Sequence, residues 1–286
     1  MSHSAVSRVD FFAPSITKRL AYVGVLAYLV YAAATLGLSL ERIQQGVGHG
    51  VRFLTGFFPP NFTQSDILPG LLESLQIAFL SSLIGTALAI PIAVLAARNL
   101  MPPWVSWMAR LGIIFCRSFH PVIVAIIAVK AVGFGALAGI IALTFASVGF
   151  VGKLLSEAIE EISLKQIEAI RATGASFMNV IAYGVVPQVM NRFIGFVAYE
   201  TDSNLRNSTM VGVVGAGGIG GTLFSAFQRF DYDFVLAILI SIITLIFVGE
   251  ILSNVLRAVF LDNKTISEWF ARDGVHSTVT ARGLDE

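Results

Sequence analysis

Long apolar stretches alternate with short polar segments along the chain, and six stretches are long enough to cross a bilayer. They cover residues 20–38, 71–97, 111–132, 136–155, 188–214 and 234–255. Lys18 and Arg19 introduce the first, Arg98 closes the second and Arg257 closes the last. The turn Gly133-Phe134-Gly135 separates the third from the fourth, and the fifth is the least apolar. A bilayer core is about 30 Å thick, so a spanning helix needs roughly 20 mostly apolar residues. Barrel strands would be alternating runs of roughly ten, much shorter than these. The pattern therefore predicts an all-α membrane protein with six transmembrane helices. Residues 20–260 form the membrane domain, between tails over 1–19 and 261–286. The first run has the basic flank of a signal peptide and small residues at Ala32, Ala33 and Ala34. It exceeds the roughly 7–15 apolar residues of a signal core, so it is read as a retained helix.

Composition narrows the function classes. Of 286 residues, 56% are hydrophobic and 13% charged. Soluble domains carry roughly 25% charged residues, so a soluble enzyme or a disordered chain is excluded. A net charge of +1 leaves no basic face for nucleic acid. His3, His49, His120, His276 and the single Cys116 show no metal-ligand spacing. No catalytic pairing of carboxylates or nucleophile and base stands out, and no cofactor is implied. With the N-terminus in the cytoplasm, fourteen of the nineteen Lys and Arg fall inside, which predicts both termini cytoplasmic. Trp104 and Trp107 stand where an interfacial aromatic belt is expected. Residues 41–70 would lie outside as a rigid loop built around Phe57-Phe58-Pro59-Pro60-Asn61-Phe62.

The inside segment 156–187 is the most informative. Ile159, Ile162, Ile167 and Ile170 give a broken helical periodicity, and Gly174 suits the end of a helix over 166–173. Such a helix would lie on the cytoplasmic face, its apolar side on the bundle and its charged side toward a soluble partner. Glu168-Ala169, Gly174 and, thirteen residues later, Pro187 reproduce the spacing of the EAA loop of ABC-transporter permeases. Two positions depart mildly from that pattern: Gly184 replaces an apolar residue and Val186 a leucine. Further segments narrow the likeness: Phe57-Phe58-Pro59-Pro60, residues 149–157, residues 170–175 and residues 211–220. Over most of residues 50–260 the chain resembles permeases of phosphonate uptake systems.

The resemblance implies a MetI-like, type I importer permease in a bacterial inner membrane. It implies a second copy of the chain, two cytoplasmic ATPases and an extracytoplasmic solute-binding protein. The implied cargo is phosphonate, phosphite or a related phosphorus oxyanion; another solute such as phosphate, an amino acid or a metal chelate is the alternative. Glu168, Ala169, Arg171 and Gly174 would couple to the ATPase. The chain has no G-x-x-x-x-G-K-[ST] loop, so the nucleotide site belongs to a partner chain. A self-contained carrier is the alternative of another class, and no internal repeat favours it.

Two further constellations are candidates for the pathway. Gly215, Gly217, Gly218 and Gly220 spell G-x-G-x-x-G, the dinucleotide fingerprint. That fingerprint needs a preceding strand and an acidic residue on a second strand, and the run over 234–255 is too long for the latter. Glycines that let backbones pack closely at an outer gate are the better reading, against a flexible loop. The fifth span carries Glu200, Asp202, Asn204, Arg206, Asn207, Ser208 and Thr209. Asp202, Arg206 and Thr209 share one helical face; Glu200, Asn204, Asn207 and Ser208 share roughly the opposite one. Ionisable residues in a span are functional candidates. Arg206, flanked by Asn204, Ser208 and Thr209, would attract an oxyanion through its planar fork, or else form an internal ion pair with Asp202. Arg117 and His120, three apart before Pro121, would line the pathway, or Arg117 would snorkel to the surface.

Overall fold

The computed structural model describes residues 16–37 and 40–261. Every regular element in them is helical. The chain divides at the Phe58–Pro59 junction into two compact units.

The first unit holds α1 (Ile16–Thr35) and α2 (Leu40–Thr55). α1 is 20 residues long and buries none of them. Its length matches a bilayer core at 1.5 Å per residue. α2 corrects the expectation of a loop from residue 41. Ile43, Val47, Val51 and Leu54 recur at helical spacing and form an apolar stripe. Gly46, Gly48 and Gly50 lower the local helix propensity and hide that stripe.

The second unit is built on α3 (Ile67–Ala96) and α6 (Ala136–Glu160), of 30 and 25 residues. Their contact is lined with small side chains, which let helices approach closely in hydrocarbon. A Cβ at Gly85 would run into Ser147, and Ser81, Ser82, Ala78 and Ala142 are buried nearby. One core cluster joins Ile77, Ala138, Ala142, Leu143 and Val211; another joins Ala93, Leu155, Ile159, Ile167 and Val185. Outward-facing Phe79, Leu83, Leu88, Phe247 and Ile251 are exposed, as an apolar solvent requires.

The stretch predicted as one span over 111–132 is two helices. α4 (Pro103–Ser118) and α5 (Pro121–Val132) meet at 88°. Pro121 cannot donate a backbone hydrogen bond and drives the residue before it out of helical dihedrals. Phe119 and His120 are accordingly extended. Phe119 packs edge-on to Phe115, 5.3 Å between centroids, beside Phe145.

After α6 come α7 (Leu164–Ala172), α8 (Phe177–Val180), a π-turn (Ile181–Val185) and α9 (Val186–Val213). The last three form one helical rod. Pro187 cannot donate to the carbonyl four residues back, and the ladder widens to the π pattern just ahead of it. α10 (Ile219–Gln228) and α11 (Tyr232–Leu261) complete the unit. Among the described residues five helices have the length and composition to cross a membrane, or six with the α4–α5 pair taken as one broken span.

Candidate functional site

α7 is held on one side and free on the other. Ile167 is buried at 2% exposure, and Ile170 packs partly against the same cluster. Lys165, Gln166, Glu168, Ala169 and Arg171 point outward and are exposed. The helix ends because Gly174 takes a left-handed φ of +78°, its N–H donating to Arg171 O at 3.0 Å. Glycine adopts that conformation without Cβ strain. The four residues assigned to coupling therefore lie together on an open face or at its end.

The base of α7 is fastened to three helices. Ser163 N donates to Gln188 Oε1 at 3.0 Å, while Gln188 Nε2 donates to Gly184 O at 2.6 Å. Arg110 pairs with Glu160 at 2.6 Å, and Arg98 N donates to the same carboxylate at 2.7 Å. Asn99 Nδ2 reaches Ile159 O at 2.7 Å, and Arg192 pairs with Glu161. These contacts gather the ends of α3, α4, α6 and α9 around the base of α7.

Gly184 explains its own departure from the EAA pattern. A Cβ there would stand 3.1 Å from Ile170 Cδ1, tighter than most Cβ contacts in proteins. The missing side chain makes room for Ile170 on the rod.

α9 separates its polar residues by depth. Ser147 Oγ donates to Glu200 Oε1 at 2.6 Å and accepts from Asn204 Nδ2 at 2.8 Å. Asn204 Nδ2 also reaches Ser82 Oγ at 2.9 Å, whose hydroxyl donates to Ala78 O. Glu200, Asn204 and Ser208 are buried within the chain, and Glu200 and Asn204 tie α9 to α3 and α6. Ser208 Oγ donates to Leu205 O at 2.8 Å. Arg206 lies on the other side, its side chain 45% exposed, and pairs with Asp202 at 2.7 Å. Thr209 is half-buried. The residues grouped in the sequence as one pathway set are divided here between an internal lock and an outer face. Ser82 and Ser147 escaped the sequence reading because a serine or a serine pair inside an apolar run leaves no periodic mark.

The glycine turn between α9 and α10 is tightly packed. Gly215, Gly217 and Gly218 have φ of +91°, +81° and +76°. A Cβ on Gly217 would sit 2.6 Å from Ala136 N, and one on Gly220 would run into Thr209 O. Ile219 N donates to Ser74 Oγ at 2.9 Å, and Gly135 N to Gly215 O at 3.0 Å. The turn thus joins the starts of α3 and α6, and a flexible loop is not what the packing shows. A helix, not a strand, precedes it. It meets the first residue of α6, whereas α7 follows the last, so about 37 Å of helix separates them at 1.5 Å per residue.

Arg117 and His120 are not brought together with Arg206. His120 caps α5, its Nδ1 accepting from Val122 N at 3.3 Å. Arg117 is exposed near the end of α4 and lines a cavity there.

Residues 89–259 match the family model for binding-protein-dependent transport system inner membrane components. The chain is 34% identical to the putative phosphite transport system permease protein HtxC of Stutzerimonas stutzeri, over 85% of this chain and 86% of that one. It is 40% identical to the phosphite transport system permease protein PtxC of the same organism, over 84% and 83%. Among solved structures it is similar to a chain of the inward-facing MetNI methionine ABC transporter, 22% identical with a TM-score of 0.58, covering 68% of this chain and 95% of that one. At that identity the likeness speaks for the fold.

Proposed function

The chain belongs to the binding-protein-dependent transport system inner membrane components, as a multi-pass permease subunit, and from that premise we propose that it imports phosphite, phosphonate or a related phosphorus oxyanion. The observation that carries the cargo class is the 40% identity, over most of both chains, to a relative named as a phosphite permease.

In the proposed mechanism, α7 faces the cytoplasm and seats in a groove on a separate ATPase. Its free face carries the contact: Glu168 and Arg171 supply charge, and Ala169 and Gly174 allow close docking. ATP-driven closure of two ATPases would press on two copies of this chain. The clamp around Glu160, Gln188 and Gly184 would pass that motion to α6 and α9. At the far end of α6 the glycine turn acts as part of an outer gate, opening to an extracytoplasmic binding protein. Arg206 at the exposed face of α9 attracts the anion, with Thr209 beside it. Asn204 and Ser208 are given a supporting role, since both are buried in the helix contact. Both termini lie in the cytoplasm in this arrangement.

The test is uptake of labelled phosphite and labelled methylphosphonate by cells lacking this chain, complemented with it, against unlabelled phosphate as competitor. Restored uptake of either label that excess phosphate does not abolish supports the cargo class. Failure with both labels, with the chain inserted and its ATPase bound, removes it.

A further inference from the structure

A second cationic site lies apart from α9. Beside α4 a cavity of about 440 Å³ is lined by Arg98, Arg110, Arg117 and Lys153, which come from the end of α3, from α4 and from α6. Four cations around one concavity repel each other unless carboxylates or bound anions compensate them. Two are compensated: Arg110 pairs with Glu160, and Lys153 with Glu157. Among the described residues Arg98 and Arg117 form no ion pair. The remaining wall is mostly apolar, with Trp107, Leu111 and Ile114 exposed along it beside Ser118 and Ser156. Two free guanidiniums above an apolar wall are matched to a phosphate group, which accepts paired hydrogen bonds from each planar fork.

We propose that this cavity binds a phosphate-type anion, held by Arg98 and Arg117 with Lys153 at its rim. The chemistry is common to a phospholipid headgroup and to free phosphate. A headgroup would seat its phosphate on the guanidiniums and lay its acyl chain along Trp107, Leu111 and Ile114, as basic pockets between membrane helices do with anionic lipids. Arg110 links the site to Glu160, which also clamps Arg98 N and lies just ahead of α7. An occupied cavity therefore braces the base of α7. The site does not depend on which solute is carried.

The test uses the full chain purified from membranes in mild detergent. One arm counts retained phosphatidylglycerol and cardiolipin by native mass spectrometry. The other measures labelled inorganic phosphate bound by the chain in phosphatidylcholine nanodiscs. Each arm compares wild type, the Arg98→Gln/Arg117→Gln double variant and Ser118→Trp. The last fills the cavity and keeps every charge, since Ser118 lines it and only bonds back to its own helix. Retention of anionic lipid by wild type, reduced about tenfold in both variants, supports the site with a headgroup as occupant. Saturable phosphate binding with the same loss supports it with free anion. Equal binding by all three proteins in both arms overturns it. Full binding by Ser118→Trp overturns it as well, because the anion then sits elsewhere.

Discussion

Ile170 on α7 rests on Gly184 in the π-turn before α9, where a Cβ would come within 3.1 Å of its Cδ1. A side chain at 184 would press on Ile170 where the short outer helix meets the long rod. Gly184→Val should therefore cost about 1–3 kcal/mol through overpacking. It should lower the melting temperature of the purified chain, and Ile170→Ala in the same background should recover most of the loss. An unchanged melting curve for Gly184→Val would show that α7 is not seated there.

Removal of the hydroxyl at Ser147 takes from Glu200 its hydroxyl donor and from Asn204 one of the two serine acceptors of its amide. Ser147→Ala should destabilise by about 1–3 kcal/mol, the cost of orphaning buried polar groups. Ser225→Ala, at an exposed hydroxyl bonded only to Gly221 O, should stay within about 0.5 kcal/mol. Thermal denaturation of the two variants side by side decides it, and equal shifts would refute the buried lock.

Gly217 and Gly221 make a controlled pair. Gly217 has a positive φ and no room for a Cβ beside Ala136 N; a Cβ at Gly221 would meet only Gly212 O at 3.6 Å. Gly217→Ala should lose about 1–2 kcal/mol from the left-handed backbone, with more from the clash, and uptake should fall with it. Gly221→Ala should transport normally. Similar activity in both variants would remove the glycine turn from the gate.

Arg206→Ala tests the anion role of α9. The pair with Asp202 is half open to its surroundings, and exposed pairs add little stability. Uptake should drop about tenfold while the melting temperature barely moves, because a charged partner of the anion is worth about that factor. A large loss of stability with normal residual uptake would make Arg206 structural.

The long apolar runs were readable because a spanning helix has no option but to be apolar over its length. α3, α6 and α11 follow from that constraint. Pro121 marks the break at Phe119 and His120, but a proline in a span kinks a helix as readily as it breaks one, and only the extended backbone of Phe119 and His120 and the 88° between α4 and α5 show which occurs. α2 was missed because three glycines interrupt its apolar stripe. On α9 the alternation of polar residues was visible, but not that Glu200 and Asn204 turn inward to serines of α3 and α6 while Arg206 stays out. That division depends on partners 53 to 122 residues away in the chain, and no local pattern carries it. The glycine of the EAA loop was legible as a helix end because one residue type dominates that role. The role of Gly184 was not, since it is set by Ile170 across a turn.

The central claim is that α7 carries the drive from the ATPase into the membrane. The most direct measurement reconstitutes the chain with its ATPase and binding protein in liposomes and follows ATP-dependent phosphite uptake for wild type and Glu168→Lys. ATPase co-purification is read on the same samples. Glu168 is exposed and makes no fold contact in the core clusters, so the variant should insert and fold normally. The account predicts that uptake is abolished and that bound ATPase falls about tenfold, the loss expected for reversing one charged contact. Wild-type uptake with a full complement of ATPase would contradict it.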